Sequence, residues 1–202
     1  MIKDFLIINC TGKNNSIALK IDSKFFFKKL QTNLTQNEML ALDILTFSKE
    51  KNAKIDKKFS IIVNSGPGSF SGIRIALAVT KGIQLVNKLN VYSYNYFSLN
   101  AAPYLNSSIK IISIQKTNNF YYYSESNFKD RHVFTLPKKI DNECLKQKNC
   151  IIVVPQEIAN DEIFKHISAE KIKIEQFNLR NIETLIENNL LENKLIKPLY
   201  LS

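Results

Sequence analysis

The chain has 202 residues, 45% of them hydrophobic and 23% charged, with a formal net charge of +10. That length and apolar content imply a globular protein with one sizeable core or two small lobes. No apolar run approaches the roughly 18 residues a membrane-spanning helix needs, and Phe5–Ile8, beside Asp4, is too short for a secretory segment, so the expected location is the cytoplasm with no membrane contact. Cys10, Cys144 and Cys150 are odd in number and lack CxxC spacing, and His132 and His166 form no ligand pair, so neither a disulfide framework nor a metal site is expected. The positive charge is scattered lysine, with arginine only at 74, 131 and 180. It supplies non-specific attraction to nucleic acid but no base readout, so direct binding by this chain alone is not expected.

In chain order, Phe5 to Thr11 reads as a strand, Gly12 to Asn15 as a tight turn, and Ser16 to Asp22 and Phe25 to Leu30 as two further strands of a meander. Thr35-Gln36-Asn37-Glu38 has the capping-box pattern and starts a helix that runs to about Lys51. A strand at Phe59 to Asn64 leads through a glycine-rich turn to a helix at Gly72 to Asn87, and a strand follows at Val91 to Tyr94. The second half repeats the order: strands near Ile109 to Ile114, Phe120 to Ser124 and Val133 to Leu136, a short helix at Asn142 to Gln147 and a strand at Ile151 to Val154. A helix at Asp161 to Ile167, a strand at Lys171 to Phe177 and a helix at Asn181 to Glu192 complete it. Three strands and then alternating helices and strands, twice over, predict an α/β protein of two lobes, each a mixed sheet flanked by helices. The lobes are expected at 1–104, with the glycine turn, and 105–202, in reduced form.

The turn holds three of the chain's five glycines: Gly66, Gly68 and Gly72, with Pro67 and Ser69 between them. Such a turn is either a structural strand-to-helix connection or a loop whose amides, with the helix dipole, contact an anion or a weakly held nucleotide. On the first helix Leu40, Ile44 and Phe47 share one side, while Leu42 and Leu45 lie on another. On the second, Ile75, Val79, Ile83 and Val86 are expected to face inward, with Ile73 and Leu77 to the side. Two apolar stripes on one helix call for two partners. Either the helices pack on each other within a lobe, or the surface of Leu42, Leu45, Ile73 and Leu77 is a protein interface, and on that reading Leu77→Asp breaks a complex and leaves the monomer folded.

The stretch from Phe59 to Ala101, centred on GPGSFSGIRIALAVTKGIQLV, resembles the TsaB (YeaZ) family of bacterial tRNA threonylcarbamoyladenosine biosynthesis. That family carries GPGSFTGLR before an apolar helix; here Ser71 stands for Thr and Ile73 for Leu, and Lys81-Gly82 keeps its place. The resemblance implies the duplicated actin/Hsp70/sugar-kinase fold and a non-catalytic subunit without a cofactor of its own. It implies that the two helices pair with a TsaD-like paralogue, or with a second copy when that is absent. It also implies that a TsaE-like ATPase joins the assembly and that tRNA is met only through the complex. Glu38 matches an acidic residue of the family's His-Ser-Glu-Arg-Leu-Leu segment, with Gln36 in the place of His. Arg74 is expected to bind a carboxylate or carbonyl of the partner, or to form a salt bridge within its own lobe. Lys197-Pro198-Leu199-Tyr200-Leu201 resembles the family's closing Pro-x-Tyr-Leu-Arg, with Ser202 in place of Arg.

Catalysis is not expected. Enzymes of this fold place an Asp at the end of the first strand to manage a metal or phosphate, and TsaB relatives often show Asp-Thr-Ser, where this chain has Asn9-Cys10-Thr11. The second-lobe pattern Asp-Ala-Arg-Arg-Gly aligns with Gln115-Lys116-Thr117-Asn118-Asn119. Ser69 and Ser71 lack the G-x-S-x-G frame of a nucleophile. The alternatives are a nucleotide-binding enzyme of the sugar-kinase type and a self-associating scaffold unrelated to tRNA.

Overall fold

The computed structural model describes residues 2–12, 14–30, 36–117, 119–126, 134–193 and 196–201, and the side chains of 36–38 and 142 lie outside that description. The capping box at Thr35 and Glu38 therefore falls outside the described residues. Two compact units form, residues 1–95 with 191–200, and residues 96–190 with 201–202. The division differs from the one expected at 104, because the tail returns to the first unit: Ser93 and Glu192 exchange backbone hydrogen bonds of 2.8 and 2.9 Å, and Leu199 N–H donates to the Ser65 carbonyl at 2.7 Å.

In the first unit, β1 (Phe5–Asn9), β2 (Ser16–Ile21) and β3 (Lys24–Lys29) form an antiparallel meander, and β4 (Ser60–Asn64) and β5 (Asn90–Tyr94) add in parallel, giving the order β3-β2-β1-β4-β5. Every residue of β1 and β4 is buried, which is why both read as unbroken apolar runs without alternation. Helix α1 (Gln36–Glu50) and helix α2 (Phe70–Asn87) cover one side, where Leu6, Ile8, Ile61 and Val63 meet Leu40, Ile44, Phe47, Ile73 and Leu77 in one core.

The second unit opens with α3 (Tyr96–Ala101), a short helix that sequence reading did not foresee, and a single 3₁₀ turn at Ala102–Tyr104. Its sheet holds β6 (Lys110–Thr117), β7 (Phe120–Glu125), β8 (Lys138–Lys139), β9 (Cys150–Pro155) and β10 (Ile172–Glu175) in the order β10-β9-β6-β7-β8. Read from the other edge, this is the topology of the first sheet: an antiparallel meander, then two parallel strands. The duplicated α/β architecture expected from element order is present. Helix α4 spans Asn142–Lys146, with Asp141 Oδ1 accepting from Cys144 N–H at 2.7 Å, and α5 spans Asn181–Glu187.

Three second-unit elements differ from expectation. In place of the strand at Val133 to Leu136, of which Val133 lies outside the described residues, Phe134 makes one isolated bridge with Ser126, and the strand proper follows Pro137. The helix at Asp161 to Ile167 is a 3₁₀ turn at Glu162–Phe164. Asp161 does not cap it, because its carboxylate accepts from Lys116 Nζ at 2.8 Å and Tyr121 Oη at 2.5 Å. The last helix stops at Glu187, since Asn189 is left-handed (φ 55°) and Glu192 is engaged with Ser93.

The glycine turn decides where α2 sits. A Cβ on Gly68 would lie 2.2 Å from the Thr11 carbonyl oxygen, and one on Gly72 would lie 2.0 Å from that of Cys10. Both distances are far inside van der Waals contact, so the start of α2 can reach the end of β1 only without side chains at these positions. Gly82, on the exposed side of the same helix, meets nothing within 4 Å. Gly72→Ala is therefore expected to destabilise the protein by about 2 kcal/mol or more, while Gly82→Ala stabilises it by about 0.5–1 kcal/mol through helix propensity. Chemical denaturation of the two variants checks the opposite signs; equal shifts would contradict this account of the turn.

Candidate interaction site

The ends of β1 and β4 hold a neutral amide network. Asn9 Oδ1 accepts from Asn64 Nδ2 at 3.0 Å and from Thr11 Oγ1 at 2.8 Å, and Asn9 Nδ2 donates to the Asn14 carbonyl at 2.9 Å. Asn64 Oδ1 accepts from Gly66 N–H at 2.9 Å. Both asparagines are fully buried, and their amides join the ends of β1 and β4 to the turns that follow. This is structural work that a carboxylate, an acceptor only, could not do at the Asn14 contact.

Four amides of the turn and the start of α2 are engaged internally in the same way. Besides Gly66, Ser69 N–H donates to the Thr11 carbonyl at 2.7 Å, Gly72 N–H to Ser69 Oγ at 3.3 Å and Ile73 N–H to the Ser69 carbonyl at 3.0 Å. Gly66 and Pro67 are buried, while Gly68 and Ser69 are exposed. Ser69 is the N-cap of α2, which accounts for its hydroxyl. Beside it, burial pushes the Cys10 thiol up to about 12, keeping it protonated and non-nucleophilic. Among the described residues no group of three His, Cys, Asp or Glu side chains could hold a metal, and no helix is long and apolar enough to cross a membrane.

In the second unit Gln115 is buried at the end of β6. Next to it Lys116, and then Tyr121, hold the Asp161 carboxyl below its ordinary range. Asn118 lies outside the described residues. Burial and then the Asp141 carboxylate push the Cys144 thiol up to about 12.

The outer sides of α1 and α2 differ in character from these closed networks. Leu42 and Leu45 are 53% and 61% exposed, and Met39 lies beside them in sequence at 47%. On α2 Leu85 and Val86 are 79% and 81% exposed. The expected division of α2 was wrong in part. Ile73 and Leu77 are buried, with Ala76 and Thr80 completing the i, i+3, i+4, i+7 stripe, and Val86, expected to face inward, faces out. Small side chains at Ala76 and Thr80 suit a stripe laid close to the sheet, whereas the projection took the bulkier set for the inner face. Ile75, Val79 and Ile83 are partly buried at the core's margin. Leu77→Asp would accordingly disrupt the core itself and cannot report on an interface. The Glu38 side chain lies outside the described residues.

Arg74 is exposed and belongs to a cluster that sequence reading did not assemble. Its guanidinium carbon lies 3.7 Å from the Phe70 ring centroid, Phe70 and Tyr200 stack with centroids 4.8 Å apart, and Arg74 Nε donates to Tyr200 Oη at 3.1 Å. The spacing of Phe70 and Arg74, one helical turn, was a signal for that pair. Nothing local to Tyr200, 126 positions away, announced the third member.

No family model matches the chain. Over 136 residues it is 34% identical to the tRNA threonylcarbamoyladenosine biosynthesis protein TsaB of Buchnera aphidicola subsp. Baizongia pistaciae (strain Bp), a match covering 63% of this chain and 61%, about three fifths, of that relative's length. The fold is similar to that of YeaZ from Pseudomonas aeruginosa, with a TM-score of 0.67 at 12% identity, covering 96% of this chain and 99% of that one. It is also similar to an uncharacterized protein described as having similarity to peptidase YEAZ from Pseudomonas aeruginosa, with a TM-score of 0.71 at 12% identity over the whole of both chains.

The amide network yields a test. In Asn9→Asp a carboxylate oxygen would face the Asn14 carbonyl where an N–H now donates, a contact tolerable only when protonated. The carboxyl's folded pKa is then raised above its unfolded value, so the penalty grows as pH rises through the interval between the two. Urea unfolding is expected to find the variant less stable by about 2 kcal/mol or more at about pH 8, with the deficit shrinking towards about pH 4. A deficit independent of pH would contradict this role for Asn9.

Proposed function

We propose that this chain, a relative of TsaB with the fold of YeaZ, is a non-catalytic subunit of the cytoplasmic machinery that makes threonylcarbamoyladenosine in tRNA. Its work is to bind and stabilise a TsaD-like catalytic subunit through the outer sides of α1 and α2, to help recruit a TsaE-like ATPase to the joined surface, and to meet tRNA through the complex. The observation that carries this reading is the apolar exposure of neighbouring helices: Leu42, Leu45, Leu85 and Val86 are each more than half exposed. Apolar side chains of this size cluster at sites that a partner covers. The neutral amides at Asn9 and Asn64 support the non-catalytic part, because they offer a divalent cation no charge.

A second copy of this chain is the alternative occupant of the same face, as a homodimer when the partner is absent. The sugar-kinase-like enzyme has less support, since Asn9 and Gln115 stand at both strand ends and the turn amides at Gly66, Ser69 and Gly72 already donate within the protein.

Size-exclusion chromatography with light scattering, on the chain alone and mixed with the TsaD-like protein of the same source, is expected to give a species of heterodimer mass. Leu42→Asp combined with Leu85→Asp is expected to abolish that species, at a cost of about 2 kcal/mol or more of binding, while monomer stability stays within about 0.5 kcal/mol because both positions face solvent. Leu77→Asp is expected instead to lose the fold. A double variant that still forms the complex would contradict the proposed surface.

A further inference from the structure

The Arg74 cluster has the construction of a preset anion clamp. An arginine side chain in water samples many rotamers, and fixing one of them carries an entropic cost. Here the guanidinium lies against the Phe70 ring, Phe70 lies against Tyr200, and the Nε–H is held by Tyr200 Oη. The C-terminal segment supplies this support. Leu199 is fixed by its hydrogen bond to Ser65, its carbonyl oxygen packs against Gly66, and Ile196 packs on the first unit's core. With Nε occupied, the two Nη groups remain as the face that forks onto an oxyanion.

Among the described residues no carboxylate pairs with Arg74, and the first turn of α2 contains no acidic residue. A cation near the positive end of a helix, held in position and without a carboxylate beside it among the described residues, departs from ordinary helix electrostatics in a way that suits an incoming anion. The surroundings favour a protein carboxylate over a phosphate. Arg74, Ala78, Lys81 and Leu85 form one exposed stripe at i, i+4, i+7 and i+11, so the guanidinium lies on the same outer side of α2 as the exposed Leu85. The neighbouring amides of Gly66, Ser69 and Gly72, which a phosphate would recruit, donate within the protein.

We propose that Arg74, held by Phe70 and by Tyr200 of the C-terminal segment, is a clamp for a carboxylate side chain of the protein that docks on α1 and α2, with Tyr200 as its positioning residue. This rests on the docking function proposed above. Calorimetric titration of the TsaD-like protein into wild-type chain, Arg74→Ala, Arg74→Lys and Tyr200→Phe, each at two salt concentrations, tests it.

Arg74→Ala is expected to weaken binding about tenfold or more and to flatten its salt dependence, and Arg74→Lys to recover only part because an ammonium cannot fork. Tyr200→Phe keeps the ring and is expected to weaken binding about threefold or more at an unchanged thermal midpoint. The chain has three arginines, so their Nε–H resonances are easily told apart by NMR, and that of Arg74 is expected to shift in Tyr200→Phe. Failure of the wild-type chain to bind overturns both the clamp and the docking function. Binding that Arg74→Ala leaves unchanged overturns the clamp alone, as does finding that Arg74→Ala impairs binding of ATP or an RNA hairpin while the protein complex is unaffected.

Discussion

The backbone of the glycine turn lies against Cys10 and Thr11, just past the end of β1, and much of the first unit follows from that contact. Gly68 and Gly72 bring the start of α2 so near the Thr11 and Cys10 carbonyls that a methyl group at either position would collide with them. Anchored there, α2 turns Ile73, Ala76, Leu77 and Thr80 towards the sheet and leaves Arg74, Ala78, Leu85 and Val86 outside. The surface proposed for docking is thus a consequence of where the helix is pinned. The same contact closes the turn, because Ser69 and Gly66 direct their amides to Thr11 and Asn64 and not outward.

Duplication explains the rest of the plan. Both sheets run meander first and parallel strands second, and in both the end of the first strand carries a neutral amide, Asn9 or Gln115. In the first unit that amide bonds to Asn64, Thr11 and Asn14 and makes a fixed connection between strand ends. Buried and satisfied amides order their surroundings without the desolvation cost of a carboxylate.

Much of this was legible in the sequence. The central strands announce themselves as apolar runs, and the GPGSFSGIR segment marks both the turn and the start of α2. What was not legible depended on long-range packing. Periodicity showed that α2 has more than one apolar stripe but could not choose between them, because the choice fell on Ala76 and Thr80, whose small size matters only against a sheet. The six-residue α3 is too short for a periodic signal. The 3₁₀ turn at Glu162–Phe164 replaced a helix because Asp161 bonds to Lys116 and Tyr121, residues 45 and 40 positions away. Tyr200 joins Arg74 over a similarly silent distance.

The central claim is that a protein partner covers the outer sides of α1 and α2, and side-chain footprinting reads it most directly. Hydroxyl-radical labelling of the chain alone and in the presence of the TsaD-like protein compares side chains exposed on these helices with side chains exposed elsewhere. The account predicts that Met39, Leu42, Leu45 and Leu85 lose reactivity in the mixture while Phe27, Phe120 and Leu136, which are also exposed, keep theirs. Unchanged labelling of α1 and α2 in a mixture that forms a complex, with protection at Phe120 or Leu136 instead, would contradict it.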